Sequence, residues 1–166
     1  MPQHSLLPSR WLATLYHVAY PWVRRWWRIT APVRLGVRTI VLDAQGRVLL
    51  VRHAYGSEGW GFPGGAPKKR EPLAETARRE VWEETGVRCR VERLLGVYDS
   101  FAEGKSDHVT LFVCTALDAE RAKPSSPEIK AAAFFALDAL PVEASDGTRR
   151  RLAELQTPNA SFSGFW

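Results

Sequence analysis

Acidic residues are missing from the first quarter of this chain. Residues 1–42 carry six arginines (Arg10, Arg24, Arg25, Arg28, Arg34, Arg38) and no aspartate or glutamate. The remainder holds 17 basic residues against 18 acidic ones, so the net charge of +5 belongs to the N-terminal segment. That distribution reads as an address or partner signal on one segment. It argues against a generally basic nucleic-acid binder, and no specific nucleic acid is expected. Cysteine is scarce: Cys89 and Cys114 both fall in strand-like runs. They are expected to be small buried hydrophobes in a reducing compartment, since nothing requires a disulfide. No apolar run reaches the roughly 18 residues of a membrane-spanning helix. A secretory signal peptide does not fit either, because His17 and Pro21 interrupt the apolar stretch and no small-residue cleavage site follows. Internal repeats and low-complexity segments are absent. What remains is one globular domain with an N-terminal appendage, expected in the cytoplasm. Its 166 residues suffice to bury about 70 % of the extended surface.

The chain divides into a basic segment at 1–32, a domain at 33–156 and a tail at 157–166. From Arg10 to Arg28 the apolar residues, among them Trp11, Trp22, Trp26 and Trp27, fill one half of a helical wheel. Arg10, His17, Arg24, Arg25 and Arg28 fill the other. Two readings stay open for this amphipathic helix. It packs on its own domain or on a second copy in a homodimer, or it lies on an anionic membrane surface. Flotation with anionic liposomes at low salt separates them. Next, runs of β-formers at 38–42 and 47–53 flank Asp43-Ala44-Gln45-Gly46 and predict a hairpin. Further strands are expected over 88–98, 107–117 and 129–137, and a final helix capped by Ser145 over 145–156. The tail has no periodicity. No strand–helix alternation repeats, so a mixed α/β sandwich is expected rather than a doubly wound sheet.

The stretch GAPKKREPLAETARREVWEETGV, residues 65–87, organises the rest. Pro72 suits a first helical position and Gly86 a left-handed stop. Between them Glu80, Glu83 and Glu84 are spaced i, i+3 and i+4, within an arc of about 100° on the side of Leu73, Ala77 and Val81. Three carboxylates beside a buried face repel one another, and Arg79 alone cannot neutralise them. A hard divalent cation bound through oxygen resolves the conflict. Just upstream, Trp60-Gly61-Phe62-Pro63-Gly64-Gly65 carries three glycines and permits close backbone approach to a ligand.

The spacing Gly65, Glu71, Arg79-Glu80, Val81, Glu83-Glu84, Gly86, Val87 resembles the Nudix box at its fixed positions. A looser resemblance runs from about Val33 to Pro141. It implies an α/β fold of the α+β type: an α/β/α sandwich with a mixed sheet, the box forming loop–helix–loop. It also implies hydrolysis of a phosphoanhydride bond in a nucleoside diphosphate derivative or a related small molecule, with Mg2+ or Mn2+ as cofactor. By that resemblance Glu80, Glu83, Glu84 and the Gly64 carbonyl bind the metal, Arg79 orients the glutamates, and Glu71 is structural or a weaker outer contributor. The family recruits a further acid from outside the box: Glu128 is the first candidate, then Glu103 and Asp107.

Arg52 and the triplet Lys68-Lys69-Arg70 are candidate phosphate-binding residues. Arg70 stands where the family commonly has glycine. Tyr98, Phe101 and Phe135 are read as core packing ahead of base stacking, and His53 and His108 are weak candidates for a catalytic base. Residues 102–105 read Ala-Glu-Gly-Lys, so the tyrosine of diadenosine polyphosphate hydrolases and the proline of ADP-ribose pyrophosphatases are both missing. The rival expectation is a non-catalytic Nudix-fold module that senses a nucleotide or docks a partner through its N-terminal helix.

Overall fold

The computed structural model describes residues 33–54, 59–101, 106–155 and 162–166, with Pro21, Trp22, Trp26 and Thr157. The amphipathic helix expected over residues 10–28 therefore lies almost wholly outside the described residues, as does Glu103. No helix among the described residues is long and apolar enough to cross a membrane.

Strand β1 (Val33–Leu42) turns through Asp43-Ala44-Gln45-Gly46 into β2 (Val48–His53), giving the expected hairpin. Asp43 Oδ1 accepts from the N–H of Gln45 and Arg47, and Gly46 takes φ 73°, so side chain and glycine close the turn together. A two-residue strand β3 (Trp60–Gly61) leads to helix α1 (Leu73–Thr85). Then come β4 (Cys89–Ser100), β5 (Ser106–Ala116), β6 (Ile129–Phe135), helix α2 (Asp146–Leu155) and β7 (Phe162–Phe165). The strands form one sheet of order β3-β2-β1-β5-β4-β7, with β6 also on β2. The β1·β5 ladder, Val33↔Ser106 through Leu42↔Thr115, is parallel, as is β4·β7; the other pairings are antiparallel, so the sheet is mixed as expected.

Alternation along the strands loads both faces. Val37, Val41 and Leu49 join Ala77 and Val81 of α1, with Cys89, Phe112 and Cys114. Ile40, Val48 and Leu50 join Phe62, Leu95, Tyr98 and Leu152 of α2 on the other side. Both cysteines are buried and unpaired. Tyr98 is a core residue, its hydroxyl donating to Glu154 at 2.7 Å.

One feature of the sheet builds the site. β2 pairs with β1 at Val48 but with β3 at Val51 and Arg52, while β6 occupies its other edge. Residues 60–65 thus enter the sheet between β1 and β2. β1 bonds to them directly: Val37 N–H to Gly65 O at 2.8 Å and Thr39 N–H to Pro63 O at 3.0 Å.

The helix ends need small corrections. Pro72 precedes α1 as its N-cap, with ψ 142°, and its carbonyl accepts the first helical bond from Thr76. Gly86 ends α1 at φ 70° as expected, and Ser125 and Lys123 N–H groups satisfy the carbonyls of Glu84 and Thr85. Ser145 caps α2 through Thr148 N–H at 3.1 Å. The tail, given no element by its sequence, supplies β7, and Trp166 packs on the second core. Its indole lies edge-on to Tyr98 at 5.8 Å, and the Trp166 backbone N–H donates to Asp99 O at 2.8 Å. Trp166→Ala is expected to lower unfolding free energy by about 2 kcal/mol, read as an earlier midpoint in urea at unchanged slope.

Candidate active site

Two charge arrangements of different character sit on the two sides of α1's last turns. On the first, Arg79 grips Glu71 in a bidentate pair, Nε to Oε1 at 2.6 Å and Nη2 to Oε2 at 2.8 Å. Its Nη1 donates to Glu80 at 2.7 Å and to Glu83 at 2.9 Å, and Nη2 also meets Ala66 O at 3.2 Å. Such forked, charge-assisted bonds are the strong ones. Hydrogen bonds from Arg79, first, and from Lys68 N–H hold the Glu71 carboxyl down at a pKa of about 2. Both Glu71 carboxylate oxygens are thus engaged by Arg79. Glu71 also accepts from Thr76 Oγ1, tying the loop to the helix start. Lys68 Nζ reaches Glu83 at 3.3 Å, whereas Lys69 and Arg70 are exposed on the loop.

On the second side, Glu84 is 7 % exposed. It directly follows Glu83 in sequence and lies about 100° further round the helix, which turns it from the arginine cluster toward the sheet. Its Oε2 accepts from Gly64 N–H at 3.1 Å. Desolvation, first, pushes its pKa up to about 7; Arg38 and the Gly64 N–H oppose the shift, and Glu80 and Glu128 add to it. Glu128, the candidate acid from outside the box, thus lies within electrostatic reach of Glu84. Its backbone carbonyl accepts from Ala54 N–H at 2.8 Å, fixing β6 against the end of β2.

Two glycines make the approach tight. A Cβ on Gly64, whose φ is 151°, would fall 2.1 Å from Val37 O. A Cβ on Gly65 would fall 2.5 Å from Glu80 Oε1. The glycine run therefore lets the loop press against β1 on one side and the Glu80 carboxylate on the other.

Arg38 is the residue that sequence reasoning missed. Counted there with the N-terminal arginines, it instead points its Nη1 at Phe62 O at 3.1 Å and Gly64 O at 3.3 Å. Burial lowers its pKa while Glu84 and Glu80 raise it. The available signal was the position of an arginine inside a strand of β-formers, one residue before Thr39-Ile40-Val41.

The remaining candidates belong to neither charge arrangement. Arg52 places its guanidinium 5.5 Å from the Trp60 ring centroid, and its buried Nε has no hydrogen-bond partner among the described residues. Asp107 Oδ1 is likewise buried without one. His53 has its pKa lowered by desolvation and by Arg38, against an opposing pull from Glu128. His108 pairs with Asp99 at 2.8 Å and packs edge-on to the exposed Phe101. Phe135 packs on Trp60.

The donor set suits a hard cation: carboxylates of Glu80, Glu83 and Glu84 and the Gly64 carbonyl, all oxygen, around a helix turn whose negative charge Arg79 balances only in part. Among the described residues no group of three His, Cys, Asp or Glu side chains converges on a common point, because Arg79 draws Glu80 and Glu83 to itself.

With this geometry in view, the comparisons with known proteins are specific. The family model "NUDIX domain" matches residues 32–155. A MutT-like protein of Streptomyces ambofaciens is 39 % identical over 70 residues, covering 42 % of this chain and 45 % of its own length. Nucleoside diphosphate-linked moiety X motif 6 of Mus musculus is 33 % identical over 109 residues, covering 58 % of this chain and 35 % of its own length. The chain thus spans less than half of either relative. The crystal structure of a MutT NUDIX hydrolase from Burkholderia pseudomallei superposes with TM-score 0.65 at 29 % identity, covering 75 % of this chain and 99 % of that one.

Two outcomes are expected from the site as built. Arg70 adopts φ 64° without being glycine, a conformation that costs a side-chain-bearing residue about 1 kcal/mol. Arg70→Gly is expected to be neutral to stabilising by up to about 1 kcal/mol in urea unfolding, the relieved strain outweighing the added chain entropy. Glu84 binds its proton more tightly when folded, so metal-free protein is expected to lose stability as pH rises from about 4.5 to about 7. The loss amounts to at most about 3 kcal/mol. Urea titrations across that window should show it, and Glu84→Gln should flatten it. Glu71, with its lowered pKa, acts in the opposite sense and in a separate window, below about pH 4.5.

Proposed function

The chain belongs to the Nudix family, and from that premise we propose that it hydrolyses a phosphoanhydride bond in a nucleoside diphosphate derivative or a related compound, with Mg2+ or Mn2+ as cofactor. The observation that carries the reading is the buried Glu84, set on the Gly64 N–H beside Glu80 and Glu83. A buried carboxylate with two more one turn or less away is unfavourable in itself and favourable around a divalent ion. Glu80, Glu83, Glu84 and the Gly64 carbonyl would hold that ion, with Glu128 as the further acid. When bound, it supplies charge neutralisation on the diphosphate and a lowered pKa for an attacking water.

The chain's own residues do the positioning that phosphoryl chemistry mainly needs. Arg79 fixes the directions of Glu80 and Glu83 and is itself anchored by Glu71. The orphaned Nε of Arg52 supports its role as a phosphate donor. Lys68, Lys69 and Arg70 add positive charge at the loop beside the glutamates, attracting an anionic substrate. A nucleotide-sensing or partner-binding module without catalysis is the second reading. On its side stands the engagement of both Glu80 and Glu83 by Arg79. The N-terminal segment belongs to the proposal in both its sequence readings, as a contact with the domain or a second copy, or with an anionic membrane. A cytoplasmic location belongs to it too.

The deciding experiment incubates purified protein and Mg2+ or Mn2+ with nucleotide sugars, ADP-ribose, diadenosine polyphosphates and oxidised nucleoside triphosphates, and measures released nucleoside monophosphate or phosphate. Turnover of at least one is expected, with kcat falling about 100-fold or more in Glu83→Gln and Glu84→Gln. Silence across the panel would shift the assignment to the binding module.

A further inference from the structure

We propose that Arg38 is a positioning residue for the metal-binding end of the site: it holds residues 62–64 so that the Gly64 carbonyl is already set as a ligand before any ion arrives. The inference rests on the metal-dependent reading above and adds to it a residue outside the box.

The argument starts from Gly64. Its N–H is taken by Glu84 at 3.1 Å. Its Cα lies against β1 so closely that no Cβ fits. Its carbonyl receives Arg38 Nη1 at 3.3 Å, and the same nitrogen reaches Phe62 O at 3.1 Å. One guanidinium thus spans two carbonyls two residues apart, on a loop already bonded to β1 at both neighbours of Arg38, through Val37 N–H and Thr39 N–H. Each part fixes what the others leave free. The backbone bonds set the height of the loop along β1, the missing Cβ sets its distance, and Arg38 sets the direction in which the carbonyls point. A carbonyl oxygen has two lone pairs, so a hydrogen bond from Arg38 leaves one for an ion.

An alternative role for Arg38 is that of a plain counter-charge to Glu84 and Glu80, which face it electrostatically. The two roles predict opposite signs. Removing a counter-charge makes the site more negative and tightens cation binding. Removing a positioning residue loosens it, although the site has become more negative.

The test compares wild type, Arg38→Met and Arg38→Lys. Mn2+ affinity is measured by the electron paramagnetic resonance of free Mn2+. Exchange of the Val37 and Thr39 amide protons is measured in metal-free protein. Circular dichroism establishes that each variant is folded. For Arg38→Met the expectation is at least tenfold weaker Mn2+ binding and at least tenfold faster exchange at both amides. Arg38→Lys, which keeps the charge but not the planar fork, should still bind Mn2+ several-fold more weakly than wild type. It carries the decision if Arg38→Met does not fold. Equal or tighter Mn2+ binding in a folded variant overturns the proposal. Should wild type itself bind no Mn2+, the metal-dependent reading fails, and the exchange rates decide on Arg38 alone: unchanged rates overturn its hold on the loop.

Discussion

The site depends on a steric constraint at one backbone position. Gly64 can lie against Val37 only because it has no Cβ. From that approach follows the entry of residues 60–65 between β1 and β2, and from the entry follows the parting of the hairpin strands. Everything charged is then placed by reference to this loop. Glu84 meets it from the helix, Arg38 from the strand, and Glu80 stands over Gly65. A side chain at Gly64 would force the loop off the β1 backbone, and one at Gly65 would push aside the Glu80 carboxylate.

Within that frame, α1 handles its negative charge in two ways. Glu71, Glu80 and Glu83 share Arg79, with their carboxylates part-exposed, so water and a guanidinium together stabilise them. Glu84 is shut off from water and bonded to no guanidinium; burial raises its pKa, and the charge of Arg38 offsets that only in part. Adjacent residues on one helix turn therefore sit in unlike surroundings, which follows from the helical angle between them and from the depth of the loop they face.

The periodic elements were legible in the sequence. The hairpin, the box helix, the central strands and the Ser145 cap follow from alternation, turn residues and helix termini, and the buried side of α1 follows from Leu73, Ala77 and Val81. The spacing of the glutamates pointed to the right turn of the right helix, but not to the division between Glu84 and the Arg79 cluster. That division depends on where the preceding loop runs. Arg38 was illegible for the same reason: a strand arginine looks solvated until the carbonyls it reaches, 24 and 26 residues on, are folded back over it. The last strand was missed because Phe162–Phe165 has neither length nor alternation and is ordered by pairing with β4. Pro72 was displaced by one position, since both N-cap and first-turn sites tolerate a missing N–H.

A ladder of ten residue pairs joins β1 to β5 in parallel, and the whole box lies in the chain between them. Parallel pairing cannot be made by a local hairpin and requires loop closure over that entire intervening segment. Topology of this kind slows folding, because the entropy of closure is lost before the contacts that compensate it are made. The glutamate-bearing helix, 13 residues long and marginal in isolation, and its facing loop both gain a rigid support only when β1 and β5 are paired. Chemical competence is thus a late event on the folding route, arriving with the global fold rather than with the segment that carries the motif.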